Sequence, residues 1–263
     1  MYKKLLKYDF KGVAKVGLPL TIVALILSVI GAISGFIFAR NMSGDDVSGF
    51  SIMSILLFVI IAYAVIICCA LVNILVYVDF YKSLCTDQAY LTFTLPVKST
   101  TLLYSKLTNS VIWGAISLAA MAVCIIIMVL GVGLGLPPGG SSGGEAIDSF
   151  LSFYDIADTT LGIITLLVYA INTQMLVFMV IFFASIITKK NKAVVAVSLV
   201  FAVSLVYSLV YSLIGAIISA ATSSAGNAGS IITSVISIIL LVGSGIGYFF
   251  LTKYMMEKKL NLA

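Results

Sequence analysis

The chain has no histidine, and only ten of its 263 residues are acidic. Without imidazole there is no histidine general base and no histidine metal ligand. The dipeptide Gly-Lys never occurs, so the chain cannot bind ATP through a P-loop of its own. Four cysteines, Cys68, Cys69, Cys85 and Cys124, have neither metal-ligand spacing nor the look of an extracellular disulfide framework. No catalytic constellation and no metal site is expected, and the chain is read as a non-enzyme. Charged residues make up 10% of the sequence, against about 25% in ordinary soluble domains, too few to cover a water-soluble globule.

What replaces charge is long apolar sequence. Hydrophobic residues reach 62%, and they gather in runs at about 17–39, 50–78, 108–136, 159–188, 193–221 and 230–252. A helix needs roughly 20 apolar residues to cross about 30 Å of hydrocarbon. Backbone groups in lipid must be satisfied within their own segment, so such runs are helices. Barrel strands are shorter and alternate. The reading is an all-α integral membrane protein, one transmembrane domain over residues 1–263 with six spans.

Charge outside these runs gives the orientation. Fourteen of the fifteen basic residues lie in the N-terminal segment, the second loop, the fourth loop or the tail, and the other loops hold only Arg40 beside acids such as Asp45, Asp46, Glu145 and Asp148. By the positive-inside rule the basic loops face the cytoplasm, which puts both termini there. The net charge of +5 is therefore assigned to loops at a lipid surface and not to nucleic acid. Five lysines spread over the first fifteen residues before a full-length span also argue against a cleavable signal. Within residues 1–16, Tyr2, Leu5, Leu6, Phe10 and Val13 share one helical arc and Lys3, Lys4, Lys7, Lys11 and Lys15 the other, as in a helix lying in the membrane interface. Asp9 falls on the apolar arc, which calls for a specific polar contact with the bundle or a partner.

The acids avoid the runs, with Asp79 at an edge. A carboxylate inside a span is the default proton or sodium site. Its absence disfavours a proton-coupled transporter and an intramembrane aspartyl protease, and any active transport must draw its energy from another chain. The polar residues within spans are uncharged. Tyr63, Asn73 and Tyr77 share a face of the second span. Asn172 follows Thr165 and Tyr169 in the fourth, and Tyr207 and Tyr211 form a stripe in the fifth beside Ser204, Ser208 and Ser212. Tyr63, Asn73, Tyr77, Asn172, Tyr207 and Tyr211 are candidates to line a path for an amphipathic molecule; interhelical hydrogen bonding is the other reading. Small-residue pairs at Gly31/Gly35, Gly131/Gly135 and Gly243/Gly247 allow close helix approach, within one bundle or between chains. The apolar run from Phe150 to Ile156 either dips into the outer interface or begins the fourth helix early.

The loop at 79–107 is too long and too apolar for a plain tether. Asp87 to Thr94 forms a short amphipathic helix, Pro96 ends it, and Ser99 starts a helix that continues into the third span. Tyr90-Leu91-Thr92-Phe93-Thr94-Leu95-Pro96-Val97, followed by Leu102-Leu103-Tyr104-Ser105-Lys106-Leu107, resembles the second cytoplasmic loop of the permease subunits of type-2 ABC exporters, in particular small Gram-positive ones such as phenol-soluble modulin and lantibiotic exporters. The ending Lys258-Lys259-Leu260-Asn261-Leu262 is also similar, and the sequence departs from the pattern at Gln88, where a second acid or glycine is expected. The resemblance implies a bacterial plasma-membrane permease that moves amphipathic or hydrophobic cargo outward, a peptide being the favoured kind. It implies pairing with a second permease subunit, identical or not, and with two copies of a cytoplasmic ATPase. ATP and Mg2+ would be bound by that ATPase and no cofactor by this chain. Asp87, Gln88, Tyr90, Leu91, Thr94 and Pro96 would form the coupling helix seated in the ATPase. The competing reading is a non-transporting scaffold or an immunity or sensor subunit.

The charge pattern makes a direct prediction. In sealed cells, the cysteine of Ser142→Cys is expected to react with an impermeant thiol reagent, and that of Asn191→Cys to stay unlabelled. Labelling at Asn191 would overturn the six-span arrangement.

Overall fold

A computed structural model describes residues 2–41, 49–85, 99–135, 156–187, 192–222 and 227–258. They form six helices: α1 (Tyr2–Asn41), α2 (Gly49–Cys85), α3 (Ser99–Gly135), α4 (Ile156–Ile187), α5 (Lys192–Thr222) and α6 (Asn227–Lys258). Each is long and apolar enough to cross a membrane, and the candidate spans within them run from 25 to 39 residues. No strand occurs among the described residues. The six apolar runs and the six helices coincide.

One boundary differs from expectation and another agrees with it. The N-terminal amphipathic segment is helical, with its five lysines exposed and Leu5, Leu6, Phe10 and Val13 turned inward to varying degrees. It is not a separate element, however: α1 is a single helix of 40 residues that contains Pro19. Pro19 removes one backbone hydrogen bond, yet helical geometry continues on both sides of it. At the other boundary, α3 starts at Ser99 and continues unbroken through the apolar run to Gly135, as the loop reading required. The rest of that reading, including Asp87, Gln88, Tyr90, Leu91, Thr94 and Pro96, lies outside the described residues, as does most of the run from Phe150 to Ile156.

The chain divides into two compact units. One comprises residues 11–75 and 112–154, with parts of α1, α2 and α3. Here α1 and α3 run parallel, and small residues set their separation. The buried face of α1 includes Gly17, Thr21, Ala24, Ser28, Gly31, Ser34 and Gly35. Trp113 packs on Gly17, and the Cys124 thiol lies 3.6 Å from the Ala24 carbonyl oxygen. Gly131 and Gly135 lie on the backbone of Ala32 and Phe36, where an added Cβ would come within 2.4 and 2.5 Å of carbonyl oxygens. Gly31 and Gly35 accept side chains of Met128 and Val132 from α3, and of Ile61 and Phe58 from α2. The first two glycine pairs are therefore used within the chain. The hydroxyls of Thr21, Ser28 and Ser34 donate to carbonyls three residues back, so they add little bulk and no unsatisfied polarity.

The other unit comprises residues 1–10, 76–111 and 155–263. Its core is the inward face of α4, with Leu176, Val177, Phe178, Val180, Ile181 and Phe182 all buried. Phe80 of α2 stacks on Phe178 with ring centroids 3.8 Å apart and meets Phe182 edge-on. Leu102, Leu103 and Leu107 of α3 complete this core. The third glycine pair, Gly243 and Gly247 on α6, has open space where a Cβ would stand.

The contrast between these glycines is testable. Gly131→Ala drives a methyl into the backbone of α1 and is expected to lower stability by about 1–3 kcal/mol, the usual range for overpacking. Gly243→Ala meets nothing and is expected to be neutral or slightly stabilising, since alanine is the better helix former. Thermal unfolding in detergent compares the two, and equal melting temperatures would contradict the close α1–α3 contact.

Candidate functional site

The polar residues of the second unit form two arrangements, one ionic and one neutral. The ionic one centres on Lys106. The lysine stands on α3 among buried leucines, and its side chain is only 6% exposed. Its Nζ lies 2.7 Å from Asp9 Oδ1 of α1 and 2.9 Å from Asp79 Oδ2 of α2. Ser105 Oγ donates to the other oxygen of Asp9 at 3.4 Å. Asp9 is nearly as enclosed as the lysine, whereas Asp79 is 32% exposed. Charges removed from water are tolerated when paired and hydrogen-bonded, and here one ammonium serves two carboxylates from different helices. The polar contact expected of Asp9 is this pair. One turn further along α3, Asn109 and Ser110 are also fully buried, and Asn109 Oδ1 and Ser110 Oγ have no hydrogen-bond partner among the described residues.

The neutral arrangement joins α4, α5 and α6. Asn172 is buried, and its Nδ2 donates to the Leu241 carbonyl and, at 2.7 Å, to Ser244 Oγ on α6. Tyr207 of α5 donates its hydroxyl to Asn172 Oδ1 at 3.0 Å. An amide has four hydrogen-bonding sites, and three of them are occupied by two neighbouring helices. Gly245 permits this approach, because a Cβ there would stand 3.3 Å from Asn172 Nδ2. Around this knot stand four half-buried tyrosines, Tyr169, Tyr207, Tyr211 and Tyr248. Tyr169, Tyr207 and Tyr211 lie with centroids 5.4 to 6.4 Å apart and planes 19 to 42° from one another. Tyr248 stands at 73° to Tyr207, with centroids 6.4 Å apart. An apolar cleft of about 610 Å³ between α3, α4 and α6 also reaches Asn172, with Tyr104, Thr108, Gly245, Phe249 and Phe250 in its walls.

The six path candidates separate accordingly. Asn172, Tyr207 and Tyr211 come together. Tyr77 is in the same unit but packs edge-on against Phe178 in the core. Tyr63 and Asn73 belong to the other unit. There Tyr63 is 64% exposed, and Asn73 donates to Ser117 Oγ and to the Cys69 carbonyl, both at 3.1 Å. The serine stripe of α5 bonds inward on its own helix: Ser204, Ser208 and Ser212 each donate to the carbonyl three residues back. Sequence reading passed over Ser244 and Tyr248, although their spacing of four puts them on one face of α6. It also counted Lys106 as a loop charge, although flanking Leu102, Leu103 and Leu107 were a signal of burial. No cluster of three or more potential metal ligands occurs among the described residues.

Comparison of the chain with protein-family models, curated proteins and solved structures returns no match.

The ionic arrangement predicts a specific pattern of stability. Lys106→Met leaves two carboxylates facing each other without a cation, and breaking a buried pair typically costs about 3–5 kcal/mol. Adding Asp9→Asn and Asp79→Asn removes the stranded charges and is expected to recover most of the loss. Unfolding curves of the single and triple variants provide the check. A single variant as stable as the parent would mean that Lys106 is not held as described.

Proposed function

We propose that the chain is the membrane-spanning permease subunit of an ATP-driven exporter, energised by a separate ATPase and carrying amphipathic or hydrophobic cargo outward. In this reading it is a multi-pass protein of the bacterial plasma membrane with both termini in the cytoplasm, and it pairs with a second permease subunit. The first turns of α1 lie near the cytoplasmic lipid surface, where exposed lysines meet anionic headgroups.

The observation that carries the proposal is the continuity of the helices flanking residues 86–98. α2 extends to Cys85, and α3 starts at Ser99 and continues without a break to Gly135. A segment of exporter-like sequence thus stands between two long helices. Lys106, only seven residues into α3, is tied to α2 through Asp79 and to α1 through Asp9. Force applied by an ATPase at Asp87, Gln88, Tyr90, Leu91, Thr94 and Pro96 would enter α3 directly and reach α1 through an ion pair. Both the nucleotide site and the cargo site must bias one shared equilibrium for such coupling to work. The polar cluster of Asn172, Tyr207 and Tyr211 is the cargo-contacting surface in this scheme. It contains no charge that would hold an amphipathic molecule too tightly to release.

The test is co-purification with any P-loop ATPase that a neighbouring reading frame is found to encode, followed by cargo-stimulated hydrolysis in liposomes. The double variant Asp87→Ala/Tyr90→Ala is expected to insert normally but to lose the ATPase or its stimulation. Truncating one member of a buried interfacial charge pair costs about 2–5 kcal/mol, and aromatic anchors dominate interface energetics. Wild-type association and stimulation in this variant would remove the loop from coupling. Absence of any ATPase partner would favour the scaffold or sensor reading.

A further inference from the structure

We propose that the tyrosine corner of α4, α5 and α6 binds the ammonium group of an amphipathic monocation. The inference rests on the exporter reading only where it calls this molecule cargo, since the binding itself belongs to the chain alone.

Four of the chain's thirteen tyrosines gather at one place. Elsewhere α5 presents aliphatic residues such as Val197, Leu209, Leu213 and Ile217 to its surroundings. Those side chains suffice for contact with lipid tails or with the apolar body of any ligand. Tyrosine adds a ring face of negative potential, which attracts a cation within about 6 Å of the centroid. Three rings lie within 42° of one another and Tyr248 stands across them at 73° to Tyr207, so the cluster presents two walls of a corner. All four rings are partly exposed, which leaves them open to a ligand. The corner is also held in place. The Tyr207 hydroxyl is fixed by Asn172, and Asn172 is fixed by Leu241 and Ser244. Placement of this kind lowers the ordering that binding would otherwise require.

Charge decides which class of ligand fits. No aspartate or glutamate occurs between residues 160 and 254. A cation entering this apolar region therefore finds ring faces and hydroxyl oxygens, with no carboxylate to trap it. Cation–π attraction in a desolvated site is enough to select a cation and weak enough to let it leave. An anion would meet the same negative faces and be disfavoured.

The experiment uses the full chain in uncharged maltoside micelles and two probes: hexanoylcholine, and 3,3-dimethylbutyl hexanoate, which has carbon in place of the quaternary nitrogen. Saturation-transfer NMR titrations read the dissociation constants. Hexanoylcholine is expected to bind roughly ten-fold more tightly than its neutral isostere. Tyr211→Leu and Tyr169→Leu are each expected to remove most of that preference. Tyr207→Phe keeps the ring and should retain it, and Tyr211→Trp should retain or increase it. Equal binding of the two probes would overturn the proposal, as would leucine variants that melt like the parent yet keep the preference. If leucine unfolds the chain, the probe comparison on the unaltered chain decides. Displacement of hexanoylcholine by phosphatidylethanolamine would assign the corner to a lipid headgroup and overturn the cargo assignment. A permease that binds the cation but recruits no ATPase would leave this site standing while the exporter reading fails.

Discussion

The Lys106 ammonium is the constraint on which the second unit's arrangement depends. A buried lysine forces its neighbours to supply negative charge, and here they are Asp9 and Asp79, 97 and 27 positions away in sequence. Satisfying both fixes the rotation of α3 about its axis. With that rotation set, Leu102, Leu103 and Leu107 turn into the core beside Phe80 and Phe178, and Ser105, Asn109 and Ser110 are carried inward with them. Hydrophobic packing alone is non-directional and would accept several rotations of a helix so rich in leucine. The ion triad selects one of them.

The same unit handles polarity in two opposite ways. At Lys106 full charges are enclosed and paired, an arrangement that resists change because separating the partners strands a charge. At Asn172 the groups are neutral, and the surrounding tyrosine rings remain half exposed. A neutral hydrogen bond contributes only about 0.5–1.5 kcal/mol net, so this region can lose a contact and regain it. In the proposed exporter reading, rigid connection suits the end of the unit near residues 86–98. Exchangeable contact suits a surface that binds and releases cargo. The two arrangements divide those requirements between them without any carboxylate in α4, α5 or α6 between residues 160 and 254.

The helices were legible because each apolar run is long and its ends are marked by lysine, glycine or acid. Their partners were not. The pairs Gly31/Gly35 and Gly131/Gly135 announced close packing, yet the same spacing at Gly243/Gly247 meets nothing within 4 Å. Spacing shows that a helix can be approached and does not show by what. The burial of Lys106 was hidden for a related reason. Counting charge by loop treats every lysine near a span as solvated, and nothing local to Lys106 reveals that Asp9 will reach it. Residues 2–15 are helical, but periodicity is blind to whether such a segment ends or continues, and α1 continues through Pro19 to Asn41.

α5 shows how these features combine. Among its described residues only Ala196 is fully buried. Its serines satisfy themselves on their own carbonyls, so Ser204, Ser208 and Ser212 tie it to nothing else. Its attachment to α4 and α6 includes the ring contacts of Tyr207 and Tyr211, the bond to Asn172, a hydrogen bond between Thr222 and Thr233 of α6 at 2.9 Å, and the packing of Leu199, Val200 and Val203 on the core. α5 thus buries little of itself, whereas α4 buries Phe178 and Phe182. If a ligand occupies the tyrosine corner, it acts on α5 at one of the places where that helix is held. Binding there and a shift of α5 draw on the same contacts, and coupling between a ligand and a conformational equilibrium requires no more than such a differential contact.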